Sequence, residues 1–119
     1  MINYPFAKKV NILGIPYTIT VEDDPLLIKS PIVNGYMNWT KKQIVIKGRE
    51  PETKDPTGAV KWAQKTLRHE ITHAFLAECG LQHNARFNGS WADNEEMVDW
   101  FAIMGPRIMK AWQESGALE

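Results

Sequence analysis

Apolar and polar residues alternate along the first half of the chain, which is the pattern of half-buried β-strands. Residues 8–22 predict two short strands separated by the Gly-Ile-Pro run at 14–16. A second pair is predicted at 35–39 and 43–47, on either side of a polar Thr-Lys-Lys tip. Because each pair is joined by a short turn, the simplest arrangement is a small antiparallel sheet.

The spacing of apolar residues changes to three- and four-residue steps from about Thr57 to Cys79, which predicts a long helix. Asp55 or Thr57 can cap its N-terminus, and Pro56 suits its first turn. Gly80 is the type of residue that ends a helix in the left-handed conformation. The predicted core face of this helix consists of Val60, Ala63, Leu67, Ile71, Ala74 and either Ala77 or Glu78.

A second helix is predicted from about Glu95 to Ile103, with Asp93 or Asn94 as its N-cap. The Gly-Pro pair at 105–106 is expected to interrupt it, so that residues 107–114 form a last helical piece. These elements together predict an α+β fold, in which a small antiparallel sheet packs on the long helix and the second helix lies beside it.

Composition and charge narrow the class of protein. A chain of 119 residues is the size of one domain, so residues 1–119 are expected to form a single unit. Fourteen basic residues balance fourteen acidic ones, which argues against nucleic acid or an anionic membrane as a partner. The lone Cys79 excludes an intrachain disulfide, and no apolar run is long enough to cross a membrane. The sequence therefore predicts a cytoplasmic protein.

The chemistry of the chain is concentrated in the long helix, in the run His69-Glu70-Ile71-Thr72-His73. Positions four apart lie on one helix face, so His69 and His73 can bind one Zn²⁺ together. Glu70 lies beside such a metal rather than on it, where its carboxylate can take a proton from a metal-bound water. This run is the H-E-x-x-H signature of zinc hydrolases.

A catalytic zinc needs a third protein ligand, and the acidic and histidine candidates downstream are His83, Asp93, Glu95, Glu96 and Asp99. Glu95 is favoured because it begins a helix that can pack against the first one. Glu96 is rotated by about 100° from Glu95 on that helix, and His83 ligates only if its loop folds back sharply. Asp99 shares a face with Glu95 and can accept the second ring N–H of a ligating histidine.

The two metal segments, 69–73 and 94–99, resemble those of the gluzincin metallopeptidases, in which an H-E-x-x-H helix is completed by a Glu in an N-E-x-x-x-D segment. The region from about 57 to 105 also resembles the ImmA/IrrE family, small metallopeptidase domains of bacteria, phages and mobile elements. The resemblance implies that His69, His73 and Glu95 are the zinc ligands. It further implies that Glu70 is the general base and that Asp99 hydrogen-bonds a ligating histidine. The chain departs from the family at Met97, which replaces a second acidic residue, and it lacks the accompanying DNA-binding helices.

The function predicted from these segments is zinc-dependent hydrolysis of a peptide bond in a protein or peptide substrate, in a phage or mobile-element protein. The alternative is a non-catalytic module that binds a protein partner on the same scaffold. The side chains available to stabilise an oxyanion are Tyr36, His83, Asn84 and Arg86. The strand at 43–47 is a candidate edge for binding an extended substrate by strand addition.

Overall fold

A computed structural model describes residues 3–22, 34–48, 55–81 and 94–118. It contains an α+β arrangement of four strands and two helices, which confirms the predicted fold class. The elements in chain order are β1 (Lys9–Ile12), β2 (Ile15–Glu22), β3 (Gly35–Asn38), β4 (Gln43–Lys47), α1 (Pro56–Glu78) and α2 (Glu95–Ser115). None of the helices in these ranges is both long enough and apolar enough to cross a membrane.

The sheet is mixed rather than antiparallel throughout. Its strand order is β1-β2-β4-β3, in which the two predicted hairpins are antiparallel but β2 and β4 pair in parallel. The two hairpins are therefore joined by hydrogen bonds between their second strands, β2 and β4. Residues 44–47 of β4 are all buried, as expected of a central strand. In an edge strand, buried and exposed side chains alternate more clearly. The prediction that residues 43–47 form an edge is wrong, and β3 is the edge strand on that side.

Helix α1 begins and ends close to the predicted positions. Asp55 is the N-cap, and its side chain accepts hydrogen bonds from the backbone N–H groups of Thr57 and Gly58. Pro56 occupies the first turn, and Gly80 follows the C-cap Cys79 with a φ of 84°. The ends of the helix could be predicted from the sequence because these capping signals do not depend on distant contacts.

The buried face of α1 is rotated from the predicted one. Val60, Leu67 and Ile71 are only partly buried, whereas Thr66 and Glu70 are buried. The sheet contacts the helix on the side of its small residues, Ala59, Ala63, Ala74 and Ala77. Small side chains let a helix lie close to its neighbours, so polar Thr66 and Glu70 are covered along with them. The buried core cluster consists of Ile12, Tyr17, Ile44, Ile46, Ala63 and Ala74.

Gly35 allows β3 to lie close to both β4 and α1. A Cβ at this position would lie 2.7 Å from the backbone oxygen of Val45 and 3.3 Å from Cγ2 of Thr66. The first distance is too short for any side chain, and the atom it meets is backbone that cannot move aside. Gly35 therefore brings the start of the edge strand next to the helix face that carries Glu70.

Helix α2 runs unbroken through Pro106, so the predicted interruption at 105–106 is wrong. Proline has no N–H to give to the carbonyl four residues earlier, which here belongs to Ala102. That carbonyl instead accepts a hydrogen bond from Nε of Arg68 on α1, at 2.5 Å. At the start of α2, Asn94 is the N-cap and accepts from the N–H of Met97 at 3.0 Å, while Asp93 lies outside the described residues.

The far end of α1 is tied to the sheet by a buried polar group. Glu78 accepts hydrogen bonds from the Tyr17 hydroxyl at 2.5 Å and from Nζ of Lys42 at 2.6 Å. Burial, the hydrogen bond to Glu78 and the charge of Glu78 raise the pKa of Tyr17 well above its usual range. The phenol therefore remains a hydrogen-bond donor at any physiological pH, and this contact holds α1 in place on the sheet.

Candidate metal centre

Three side chains from two helices converge on one point. Nε2 of His73 lies 2.7 Å from Oε1 of Glu95, and Nε2 of His69 lies 3.2 Å from Oε2 of the same carboxylate. One donor atom from each of the three residues lies within 4.8 Å of the other two. His69 and His73 are one turn apart on α1, and Glu95 is in the first turn of α2. The packing of the two helices thus brings together the three residues that the sequence predicted as ligands.

Asp99 orients the ring of His69. Its Oδ1 lies 3.1 Å from Nδ1 of His69, on the opposite side of the ring from Glu95. When Nδ1 donates its proton to Asp99, the lone pair of Nε2 is directed toward the shared point. Burial alone would raise the pKa of Asp99, but hydrogen bonds and charges from Lys65 and His69 outweigh it and hold that pKa below its usual range. Asp99 is therefore ionised and available as the acceptor.

The donor set fits zinc. Two imidazole nitrogens and one carboxylate oxygen form the two-His, one-Glu combination found in catalytic zinc sites, which keep a further position for water or substrate. The imidazole side chains are each 15% exposed and the Glu95 side chain is 70% exposed. The two nitrogen donors are thus held in a shielded position on α1, while the side carrying Glu95 is open to solvent.

Glu70 is buried beside this group, at 7% exposure. Burial raises its pKa to about 7; His69 partly offsets the increase and the negative charge of Glu95 adds to it. A buried carboxyl whose pKa lies near neutrality can both accept and release a proton at physiological pH.

A cleft passes over the converging donors. One cavity of about 240 Å³ lies beside His69, and a second of about 290 Å³ lies beside His73. The two cavities share Gly35, Glu70 and Glu95 in their walls. Edge strand β3 forms one wall, so the cleft runs between the edge of the sheet and the two helices.

The other predicted site residues are distributed as follows. Tyr36 lines the cavity beside His73 and is 46% exposed, whereas His83, Asn84 and Arg86 lie outside the described residues. Glu96 is exposed and does not belong to the converging group. Trp62, two turns before His69 on α1, packs against the core cluster.

Lys65 and Gly35 are among the cleft residues that were not predicted from the sequence. Lys65 lies four residues before His69 and thus on the same face of α1, a signal that could have identified it. Gly35 has no such local signal, because its role depends on how closely β3 approaches α1.

Comparison with protein-family models, curated proteins and solved structures finds no match to this chain. The resemblance to the gluzincins and to the ImmA/IrrE family therefore stays a prediction, based on the two metal segments. A functional conclusion must therefore be based on the geometry of the candidate site, formed by His69, His73, Glu95, Glu70 and Asp99.

Proposed function

We propose that this protein is a zinc-dependent metallopeptidase. The observation that carries the proposal is the convergence of His69, His73 and Glu95 on one point, with the buried carboxyl of Glu70 in the wall of the same cleft. A binding module without catalysis has no use for a buried carboxyl beside its metal, and burying one is costly. The catalytic reading explains why that cost is tolerated.

His69, His73 and Glu95 would hold the metal, and Asp99 would keep the His69 ring in the required tautomer. Bound there, Zn²⁺ supplies Lewis-acid chemistry that activates water and polarises a carbonyl. Glu70 takes a proton from the attacking water onto its carboxylate and then gives it to the nitrogen of the leaving amine. Burial raises the pKa of Glu70 to about 7 in the metal-free protein. The charge of a bound Zn²⁺ would lower that pKa and favour the carboxylate that accepts the proton.

The substrate in this proposal is a peptide in extended conformation, paired with the edge of β3. Within the described sheet, β3 pairs only with β4, and residues 35–37 line the cleft. Backbone groups on a free strand edge can bind a peptide by strand addition. Because β4 is internal, we assign strand addition to β3 at residues 35–38 instead of to residues 43–47.

The first test is the zinc content of the protein, measured by plasma emission spectrometry after purification without chelator. We expect about one zinc per chain in the wild type and in Glu70→Gln, and little in Glu95→Ala. Glu96→Ala is the matched control, because Glu96 is an exposed neighbour on the same helix turn and should leave the zinc content unchanged. His83→Ala should also keep its zinc.

The second test is cleavage of a peptide library by the zinc-containing protein, read by mass spectrometry. Glu70→Gln should lower the rate by about 10²- to 10⁴-fold without losing zinc, because only proton transfer is removed. A folded wild type that takes up no zinc, even when zinc is added, would contradict the proposal. The interaction module would then be the better description.

A further inference from the structure

Lys65 places an ammonium group in the wall of the cleft, beside His69. Its Nζ lies 2.9 Å from Oδ1 of Asp99, and this same oxygen lies 3.1 Å from Nδ1 of His69. One carboxylate oxygen therefore separates the ammonium group from a candidate zinc ligand. The Lys65 side chain is 30% exposed, so the group is reachable from the cleft.

The ammonium group of Lys65 has more N–H donors than its contact with Asp99 uses. An ammonium group carries three N–H donors, and among the described residues its one ion-pair partner is Asp99. Asn34 lines the same cavity and is exposed, and its backbone carbonyl is held by the N–H of Lys47 at 2.9 Å. The side chain of Asn34 carries an amide group, which can donate a second hydrogen bond to a ligand in this cavity.

Lys65 supplies the positive charge that an anion at this end of the cleft would need. Among the described residues lining the two cavities, Lys65 is the only lysine or arginine. Its charge cancels that of Asp99. With zinc bound by two neutral imidazoles and Glu95, the site keeps one positive charge, which an ionised Glu70 would neutralise. Without Lys65 the cleft would be negative and would repel an anionic group.

We infer that the Lys65 end of the cleft is a subsite for a carboxylate group of the substrate, with Asn34 as a second donor. The inference rests on the proposed function and names its substrate class. The carboxylate belongs either to an Asp or Glu side chain or to the C-terminus of the peptide, on the His69 side of the scissile bond. Lys65 is thus a specificity-determining residue, whose removal changes which ligand is preferred.

The probes are monohydroxamates of succinic, glutaric and adipic acid, each compared with its uncharged methyl ester. The hydroxamate binds zinc, and the carboxylate tails of increasing length sample the distance to Lys65. Binding to the zinc-containing protein is measured by isothermal titration calorimetry. In the wild type we expect the best-fitting acid to bind about five- to tenfold more tightly than its ester, as for a partly exposed charged hydrogen bond.

Lys65→Met should abolish the preference for the acid over the ester and keep the affinity for the ester, while Lys65→Arg should retain the preference. Lys61→Met is the matched control, because this substitution removes the same charge from an exposed lysine one turn earlier on α1. Zinc content is measured for each variant. The ratio of acid to ester affinities isolates recognition of the carboxylate, since a purely structural role of Lys65 would weaken both ligands equally.

Equal binding of every acid and its ester in the wild type would overturn the inference and leave the metal site intact. An unchanged preference in Lys65→Met would also overturn it. A wild type that binds neither zinc nor any hydroxamate would instead overturn the proposed function and this inference with it. Cleavage of peptides with amidated C-termini separates the sources of the carboxylate: internal acidic residues keep directing cleavage, whereas recognition of a C-terminus is lost.

Discussion

At the scale of single residues, Glu70 is the most unusual group in the described chain. It is a carboxyl with 7% exposure, and its pKa is raised to about 7 chiefly by burial. Above neutral pH the folded protein must therefore keep a charge away from water, which costs stability. Such strain is typical of residues retained for chemistry rather than for folding.

The pH dependence of stability should reveal this cost in the metal-free protein. Because the folded pKa of Glu70 is above its unfolded value of about 4.5, the folded state holds the extra proton between the two. Stability should therefore fall as pH rises from about 4.5 to about 7, by as much as about 3 kcal/mol. Glu70→Gln removes this titration, so it should be more stable than the wild type at pH 8 and within about 1 kcal/mol of it at pH 5.

This prediction is checked by urea unfolding at pH 5 and pH 8 in the presence of a chelator. Glu96→Gln is the control, because its exposed side chain should change stability little at either pH. If Glu70→Gln differs from the wild type by the same amount at both pH values, the raised pKa of Glu70 is wrong.

At the scale of elements, the contact between α1 and α2 decides whether Glu95 and Asp99 reach the histidines. Pro106 leaves the carbonyl of Ala102 without its usual partner, and Arg68 on α1 donates to it. Arg68 directly precedes His69 in the chain. The same contact thus keeps α2 continuous and aligns it with the helix that carries the two histidines.

Arg68→Met should lower the free energy of unfolding by about 1–3 kcal/mol, because it leaves the Ala102 carbonyl without a partner. Pro106→Ala supplies a backbone N–H to that carbonyl, so adding it to Arg68→Met should recover much of the loss. Urea unfolding of the wild type, both single variants and the double variant measures this coupling. Arg107→Met is the control, since this substitution removes the same charge from an exposed position on α2. Strictly additive effects of the two substitutions would contradict the proposed pairing.

At the scale of the whole molecule, the candidate metal site joins parts that are far apart in the chain. His69 and His73 come from α1, Glu95 comes from α2, and β3 lines the same cleft as Glu70. A ligand that binds only the folded arrangement stabilises it in proportion to the logarithm of its concentration. Bound zinc should therefore act as a crosslink between the two helices.

Removing zinc with a chelator should lower the melting temperature, and adding zinc should restore it. Free zinc at about 100 times its dissociation constant stabilises the folded state by about 2.7 kcal/mol, which raises the melting temperature of a domain of this size by about 8–15 °C. Differential scanning calorimetry of the wild type and Glu96→Ala should show the shift, and Glu95→Ala should lose it. A melting temperature that does not respond to zinc in the wild type would exclude a site linking the two helices.

Local sequence patterns were sufficient to predict the α+β class, the two hairpins, the approximate bounds of α1 and the shared helix face of His69 and His73. These features depend on side-chain period, caps and turns, which act within a few residues of each other. The preference for Glu95 over Glu96 also came from helix geometry, and the structure brings Glu95 to the two histidines. Whether these residues bind zinc stays a prediction.

The packing of the elements sets which strands are neighbours, how deeply Glu70 is buried and how α2 continues through Pro106. It also brings Lys65 and Asp99 together beside His69. Each of these results depends on contacts between elements that are distant in the chain. A local pattern specifies which face of an element is apolar, but not which partner covers that face or which polar group meets it there.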